Sequence, residues 1–211
     1  MDSGRFLAEL SESFDDFPNS PRPSGARFDD IIDSVENLST ENALVLLNCA
    51  ARNLAPGESY VEVGSYMGAS LIGAMRLNDD KDFVAIDAFG WDNREGFDAN
   101  LARFGSTAAT VIEGDAFEVL ESALLDGRQV GVLFWDADHT REGQLRGLRD
   151  IETRLAAGAL VICDNSDTPG VRGAIDDWLL EQPRARGLLE LAGGTRGQPW
   201  WHDGIRVLCW S

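Results

Sequence analysis

Residues 130–135 (VGVLFW) and 159–163 (ALVIC) are two apolar, largely β-branched runs separated by a stretch of helix length. Such a pair reads as neighbouring parallel strands, because parallel strands need a crossover between them and a helix is the usual one. Each run stops abruptly at residues with metal-ligand chemistry. Asp136, Asp138 and His139 follow the first, and Asp164 with Asn165 follows the second. Ligands of open α/β sheets bind at the carboxyl ends of strands. Asp136, Asp164 and Asn165 are therefore expected to converge at one place. Three oxygen donors, two of them anionic, suit a hard divalent cation such as Mg²⁺.

The rest of the chain extends this pattern. Strands read at 59–63, 83–87, 110–113, 130–136 and 160–164, with helices at 67–77, 94–104, 116–125, 141–156 and 171–181. Alternation of this kind predicts a mostly parallel sheet with helices on both faces. Two last apolar strands, 188–192 and 205–210, have no helix pattern between them and should pair antiparallel. Before the first strand, Ser39 or Thr40 is placed to cap a helix with Leu44, Leu47 and Ala51 on its inner face. Residues 1–38 read as an N-terminal arm, with Phe6, Leu7 and Leu10 on one short helix and a Pro-rich break after it. The arm is expected either to hang free or to cover the site or a partner. Residues 39–211 form the main domain.

Composition narrows the partners. The net charge of −18 argues against nucleic acid, whose phosphates must be met by clustered cations, and against anionic membrane surfaces. No apolar run is long enough to span a bilayer. The acidic first turn does not read as a signal peptide. Cys49, Cys163 and Cys209 are too few and too scattered for a disulfide framework, which fits a cytoplasmic location.

The first strand runs into Gly64 and Gly68, spaced Gly-x-x-x-Gly. Gly64 permits a sharp strand-to-helix turn, and Gly68 permits close approach of backbone to ligand. Tyr66 stands where a dinucleotide fingerprint needs its second glycine, which counts against NAD or FAD. No Gly-Lys-Ser/Thr phosphate cradle is present. Asp87 ends the second strand, where an acid can accept hydrogen bonds from ribose hydroxyls. Gly114, Asp115 and Ala116 end the third, where they could frame an adenine. Each acid could equally serve as a helix cap.

In order and wording, these segments over residues 35–211 resemble class I S-adenosylmethionine-dependent methyltransferases. Within that class they are most similar to cation-dependent small-molecule O-methyltransferases of the catechol, caffeoyl-CoA and macrolide-sugar types. The resemblance implies a Rossmann-like seven-stranded sheet with an antiparallel last strand. It implies that Glu62, Gly64, Ser65, Tyr66, Gly68 and Ser70 serve the methionine end of the cofactor, and that Asp87 with Ala88 serves the ribose. Gly114, Asp115, Ala116 and Phe117 would flank the adenine, and Asp136 would border the cofactor too. Asp136, Asp164 and Asn165 fall on the family's metal positions. His139 falls where the catechol-type enzymes carry a lysine, and is similar to the histidine base of the sugar enzymes. The implied acceptor is thus a sugar or natural-product hydroxyl. Members often pair as homodimers, which leaves that state open here.

The chemistry suits these residues. A hydroxyl becomes a nucleophile when a divalent cation acidifies it and a nearby histidine removes its proton. Catalysis is thus expected at His139 and Asp136, whereas Asp138 is expected to cap the following helix. Trp200 and Trp201 are expected to pack the last hairpin, although they could wall a substrate. The same two options hold for Phe89 and Trp91. Specificity is expected from residues 1–38, 89–96 and 193–204. The alternatives are a metal-independent methyltransferase of the same fold and a non-catalytic module that binds S-adenosylmethionine.

Overall fold

The computed structural model describes residues 1–25, 27–193 and 199–211. Its centre is a seven-stranded sheet of β1 (Glu58–Val63), β2 (Asp82–Asp87), β3 (Thr110–Glu113), β4 (Gln129–Trp135), β5 (Leu155–Cys163), β6 (Ala185–Leu191) and β7 (Ile205–Trp210). The order is β3-β2-β1-β4-β5-β7-β6. Strands β1 to β5 run parallel, and β7 pairs antiparallel with both β5 and β6. The strand order reverses direction between β1 and β4, which opens a crevice at their carboxyl ends.

Side chains alternate across each strand, so the sheet has two cores. Tyr60, Phe83, Val132, Phe134, Leu160 and Ile162 face one layer. That layer contains α1 (Ser3–Glu12), α2 (Asp29–Ile32), α3 (Glu41–Arg52), α4 (Ala69–Met75) and α5 (Arg94–Arg103). Val61, Val63, Leu133, Trp135, Val161 and Cys163 face the other. That side carries α6 (Ala116–Glu121), α7 (Arg141–Ile151) and α8 (Pro169–Glu181). Trp135 is fully buried because α7 offers Gly147, where even a Cβ would come within 2.1 Å of the indole.

The N-terminal arm does not hang free. Asp2 caps α1 by accepting from the Gly4 and Arg5 amides, and Phe6, Leu10 and Phe14 are buried in the first core. The indole N–H groups of Trp200 and Trp201 donate to the Pro18 carbonyl at 3.3 and 2.9 Å. Thr40 caps α3 through the Ala43 amide and donates to the Trp200 carbonyl at 2.7 Å.

Several boundaries differ from the sequence expectation, as β6 does in beginning at Ala185, and three differences have a visible cause. The helix expected at 141–156 ends at Ile151, and after a short 3-10 turn β5 already begins at Leu155. Its small residues look helical, but Gly158 takes a positive φ of 81° where the β4–β5 register shifts. The helix expected at 67–77 is shortened to α4. Gly68 enters it at φ 88°, and the Asn48 amide takes its exit carbonyls at Gly73 and Arg76. Leu124 and Leu125 leave α6 for a separate 3-10 turn that Ser122 caps. No helix of the described residues is long and apolar enough to cross a membrane.

Candidate active site

The register places the site. Trp135 pairs with Cys163, so the next residues, Asp136 and Asp164, emerge side by side from β4 and β5. The ladder continues one step beyond the strands, with Asp136 N–H donating to Val63 and Asp164 N–H to Trp135. A cavity of about 800 Å³ opens above these ends. It is lined by Gly64, Ser65, Tyr66 and Ser70 from the first turn, and by Asp87 and Ala88 from the second. Gly114, Asp115, Ala116 and Phe117 follow from the third, and then Asp136, His139, Asp164 and Asn165.

Two expected residues do not reach this wall. Glu62 is fully buried beneath it, accepting from Ser70 Oγ at 2.8 Å and Tyr60 Oη at 2.9 Å. Gly68 is absent from the lining because it packs on α5, where a Cβ would approach Leu101 to 2.9 Å. Gly64 is required by its neighbour strand. At φ 90°, a Cβ there would lie 2.0 Å from the Asp136 carbonyl oxygen.

Burial pushes the Glu62 carboxyl up to about 7, although the Ser70 and Tyr60 hydroxyls pull it back. A carboxyl whose folded pKa lies above its unfolded value of 4.5 stabilises the fold in its protonated form. That contribution is complete below pH 4.5 and is lost as pH rises through 7. Between pH 5.5 and 8 the protein should therefore lose about 2 kcal/mol more unfolding free energy than Glu62→Gln, whose side chain does not titrate. Urea midpoints at the two pH values check this, and parallel pH dependences would refute it.

Asp87 is held by the turn it serves. Its Oδ2 accepts from the Tyr66 amide at 2.8 Å and its Oδ1 from the Phe89 amide at 2.6 Å. Each oxygen keeps a second lone pair. Asp115 realises its capping option, since Oδ1 accepts from the Phe117 and Glu118 amides. It nonetheless faces the cavity. The Phe117 ring is fixed between the Arg146 guanidinium, 4.3 Å from its centre, and Trp135.

At the other end, His139 Nε2 lies 3.1 Å from Asp136 Oδ1, and its Nδ1 lies 3.2 Å from the Asn165 amide nitrogen. The hydrogen bond to Asp136 raises the His139 pKa. Burial, and after it the charge of Asp164, raises that of Asp136. His202 Nδ1 stands 3.6 Å from Asp164 Oδ2, beyond hydrogen-bond reach. Asp138 braces the loop by accepting from the Thr140 amide, but the cap of α7 is Thr140 itself, which accepts from Gly143.

The donor set suits a divalent cation. Asn165 Oδ1 is buried with no hydrogen-bond partner, and it follows Asp164, whose charge helps to raise the pKa of Asp136. Buried polar atoms are rarely left unpaired, and oxygen donors of this kind are what Mg²⁺ takes. Asn165 also holds a strained φ of 52°, locked by Thr168, whose amide and hydroxyl both donate to its carbonyl. Among the described residues no three His, Cys, Asp or Glu side chains are grouped to hold a metal. Asn165 would have to be the third protein ligand.

Of the segments expected to set specificity, 1–38 brings Glu36, Asn37 and Leu38 to the same cavity and 193–204 brings His202 and Asp203, and Ser39 lines it too. They come from irregular segments whose path depends on tertiary contacts such as Tyr66 Oη to Glu36, 2.6 Å. The aromatic pair after β2 divides its roles. Phe89 packs on Phe97 of α5, whereas Trp91 lies at the cavity edge against Tyr66. Trp200 and Trp201 pack the arm and do not line the cavity. Residues 194–198 of the expected specificity loop lie outside the described residues.

Residues 61–166 match the model of a family described as a methyltransferase domain, and the chain belongs to that family. It is therefore an enzyme of the methyltransferase class, on a Rossmann-like methyltransferase fold. A tRNA (guanine-N(7)-)-methyltransferase of Paenarthrobacter aurescens (strain TC1) is 34% identical over 107 residues, covering 48% of this chain. The match spans 34% of that relative's length. Among solved structures, a putative caffeoyl-CoA O-methyltransferase from Staphylococcus aureus superposes with a TM-score of 0.66 at 17% identity, over 89% of this chain and 93% of that one. An O-methyltransferase from Bacillus cereus in complex with SAH gives 0.66 at 16% identity, over all of both chains.

Proposed function

We propose that the protein is an S-adenosylmethionine-dependent O-methyltransferase that acts on a hydroxyl of a small molecule with the help of a divalent cation. One observation carries the reading. A single cavity joins the Gly64 turn and Asp87 to Asp136, Asp164, Asn165 and His139. The solved neighbours named as O-methyltransferases support the choice of oxygen as acceptor.

Gly64, Ser65, Tyr66 and Ser70 would hold the methionine end of the cofactor, Asp87 the ribose, and Asp115 to Phe117 the adenine. Asp136, Asp164 and Asn165 would hold the cation. The bound groups supply a sulfonium methyl and a Lewis acid that acidifies the acceptor hydroxyl. In the transfer, the acceptor's new C–O bond would form as the S–CH₃ bond breaks, His139 would take up the hydroxyl proton, and the methyl donor would be left as a neutral thioether. Asp136 orients the His139 ring, and the fixed turn at Asp87 holds the reactants in line, where alignment alone is worth roughly 7–11 kcal/mol.

The relative named as a tRNA methyltransferase does not draw this chain towards RNA. A net charge of −18 opposes a polyanion.

S-adenosylmethionine is expected to raise the melting temperature and NAD to leave it unchanged. Transfer of a labelled methyl group to hydroxylated acceptors should fall on exhaustive chelation and return with Mg²⁺. Undiminished transfer after chelation would remove the cation from the mechanism. Cofactor binding without transfer to any acceptor would leave a binding module.

A further inference from the structure

We propose that the acceptor carries a positive charge: a hydroxylated amine, not a phosphorylated, nucleotide-linked or CoA-linked compound. The inference rests on the methyltransferase reading above and specifies its substrate. Seven carboxylates line the cavity together with His139 and His202, and among the described residues no Lys or Arg does. Arg196 lies outside the described residues. The cofactor and a divalent cation together bring a net charge of about +3, since the cofactor's carboxylate offsets one of its two positive groups. Asp87 and Asp115 stand on the cofactor side, and Asp136 and Asp164 on the cation side. Asp138 is committed to the Thr140 amide. Glu36 and Asp203 remain, on separate segments of the cavity wall.

Glu36 is not answered by a cation among the described residues, whereas Asp203 adjoins His202, whose pKa its charge helps to raise. Glu36 accepts only the Tyr66 hydroxyl at 2.6 Å, a neutral donor. Three arginines on nearby elements are already spent on carboxylates, whereas Arg103 donates to Ser34 Oγ. Arg94 pairs with Asp98 and Glu113, Arg141 with Asp177, and Arg146 with Glu121. An anionic acceptor would find no Lys or Arg on the described cavity wall and would meet the repulsion of a chain of net charge −18.

The wall near Glu36 adds aromatic and apolar surface. Trp91 is 77% exposed and meets Tyr66 edge-on, with ring centres 5.5 Å apart, and Leu38 is 69% exposed. A carboxylate and an exposed indole that both contact Tyr66 make a setting that attracts ammonium groups, through charge and through the ring quadrupole. A phosphate would gain from neither.

The test uses matched acceptor triads with labelled S-adenosylmethionine and Mg²⁺. Each triad contains a hydroxylated amine, its N-acetyl derivative and an anionic analogue. Examples are dopamine, N-acetyldopamine and 3,4-dihydroxyphenylacetate, or glucosamine, N-acetylglucosamine and N-acetylglucosamine 6-phosphate. The expected order of kcat/KM is amine, neutral, anion, with about tenfold between the first two. Glu36→Gln, which keeps the acceptor that Tyr66 uses, should shrink that ratio by raising the KM of the amine relative to its N-acetyl partner. A purely structural role would shift both KM values together. An anionic member methylated as fast as its amine would overturn the inference and leave the methyltransferase reading standing. No transfer to any member across a broad panel, with S-adenosylmethionine bound, would overturn the small-molecule reading itself.

Discussion

Gly64→Ala is expected to destabilise the protein by roughly 3–5 kcal/mol, from backbone strain and steric overlap together. The added methyl group would lie 2.0 Å from the Asp136 carbonyl oxygen, in a backbone conformation at φ 90° that L side chains rarely adopt. Neither partner can yield cheaply. The Gly64 amide donates to Ile86 and the Asp136 amide to Val63, so both backbones are tied into the sheet. For a domain of this size, the loss corresponds to a fall in melting temperature of about 10 °C. Gly57→Ala is the control. It shares the positive φ, at 83°, but a Cβ there meets nothing within 4 Å. Only the backbone term remains, and roughly 1 kcal/mol is expected. Equal melting temperatures for the two variants would show that the approach of Asp136 to the glycine turn is not what demands glycine.

The second large effect concerns chemistry. His139→Ala should lower kcat by about 10² to 10⁴-fold, the range for a lost general base. His139 caps no helix and is only half-buried, and its polar contacts are to Asp136 and Asn165. The melting temperature and the affinity for S-adenosylmethionine should therefore change little. A loss that appeared mainly as weaker cofactor binding would move His139 from proton transfer to a structural part of the site. His139→Gln helps to separate the two, because its amide can still contact Asp136 but cannot take a proton at neutral pH.

The fold was legible wherever periodicity is strong. The apolar runs at β4 and β5 are long and unbroken, and the polar residues that end them identify the sheet's carboxyl edge. Parallel register then does the rest, since Trp135 opposite Cys163 forces Asp136 beside Asp164. Boundaries were missed where one residue outweighs the local pattern, as Gly158 does in turning an alanine-rich helix signal into a strand. At the site, positions fixed by strand ends could be read, but positions fixed by long-range contacts could not. Glu36 reaches the cavity because Tyr66, itself at a positive φ of 48°, swings its hydroxyl towards it. Glu62 was expected at the wall and is buried under it, since the Tyr60 and Ser70 hydroxyls take its oxygens. Period-two alternation puts Glu62 on the same face as Tyr60, but only the packed structure shows how deep that face lies.

The two indole bonds to the Pro18 carbonyl join positions more than 180 residues apart. During synthesis, the first helix leaves the ribosome long before either tryptophan exists. The parallel strands and their ligand-bearing ends can therefore assemble while the arm still lacks this clasp. Contacts of such sequence separation close late, because the loop entropy must be met before they form. The Pro18 segment is thus the last part of the arm to be fastened, whereas the Tyr66 contact to Glu36 spans only 30 residues. A newly made chain would therefore have its parallel strands before its arm is locked to the segment between β6 and β7.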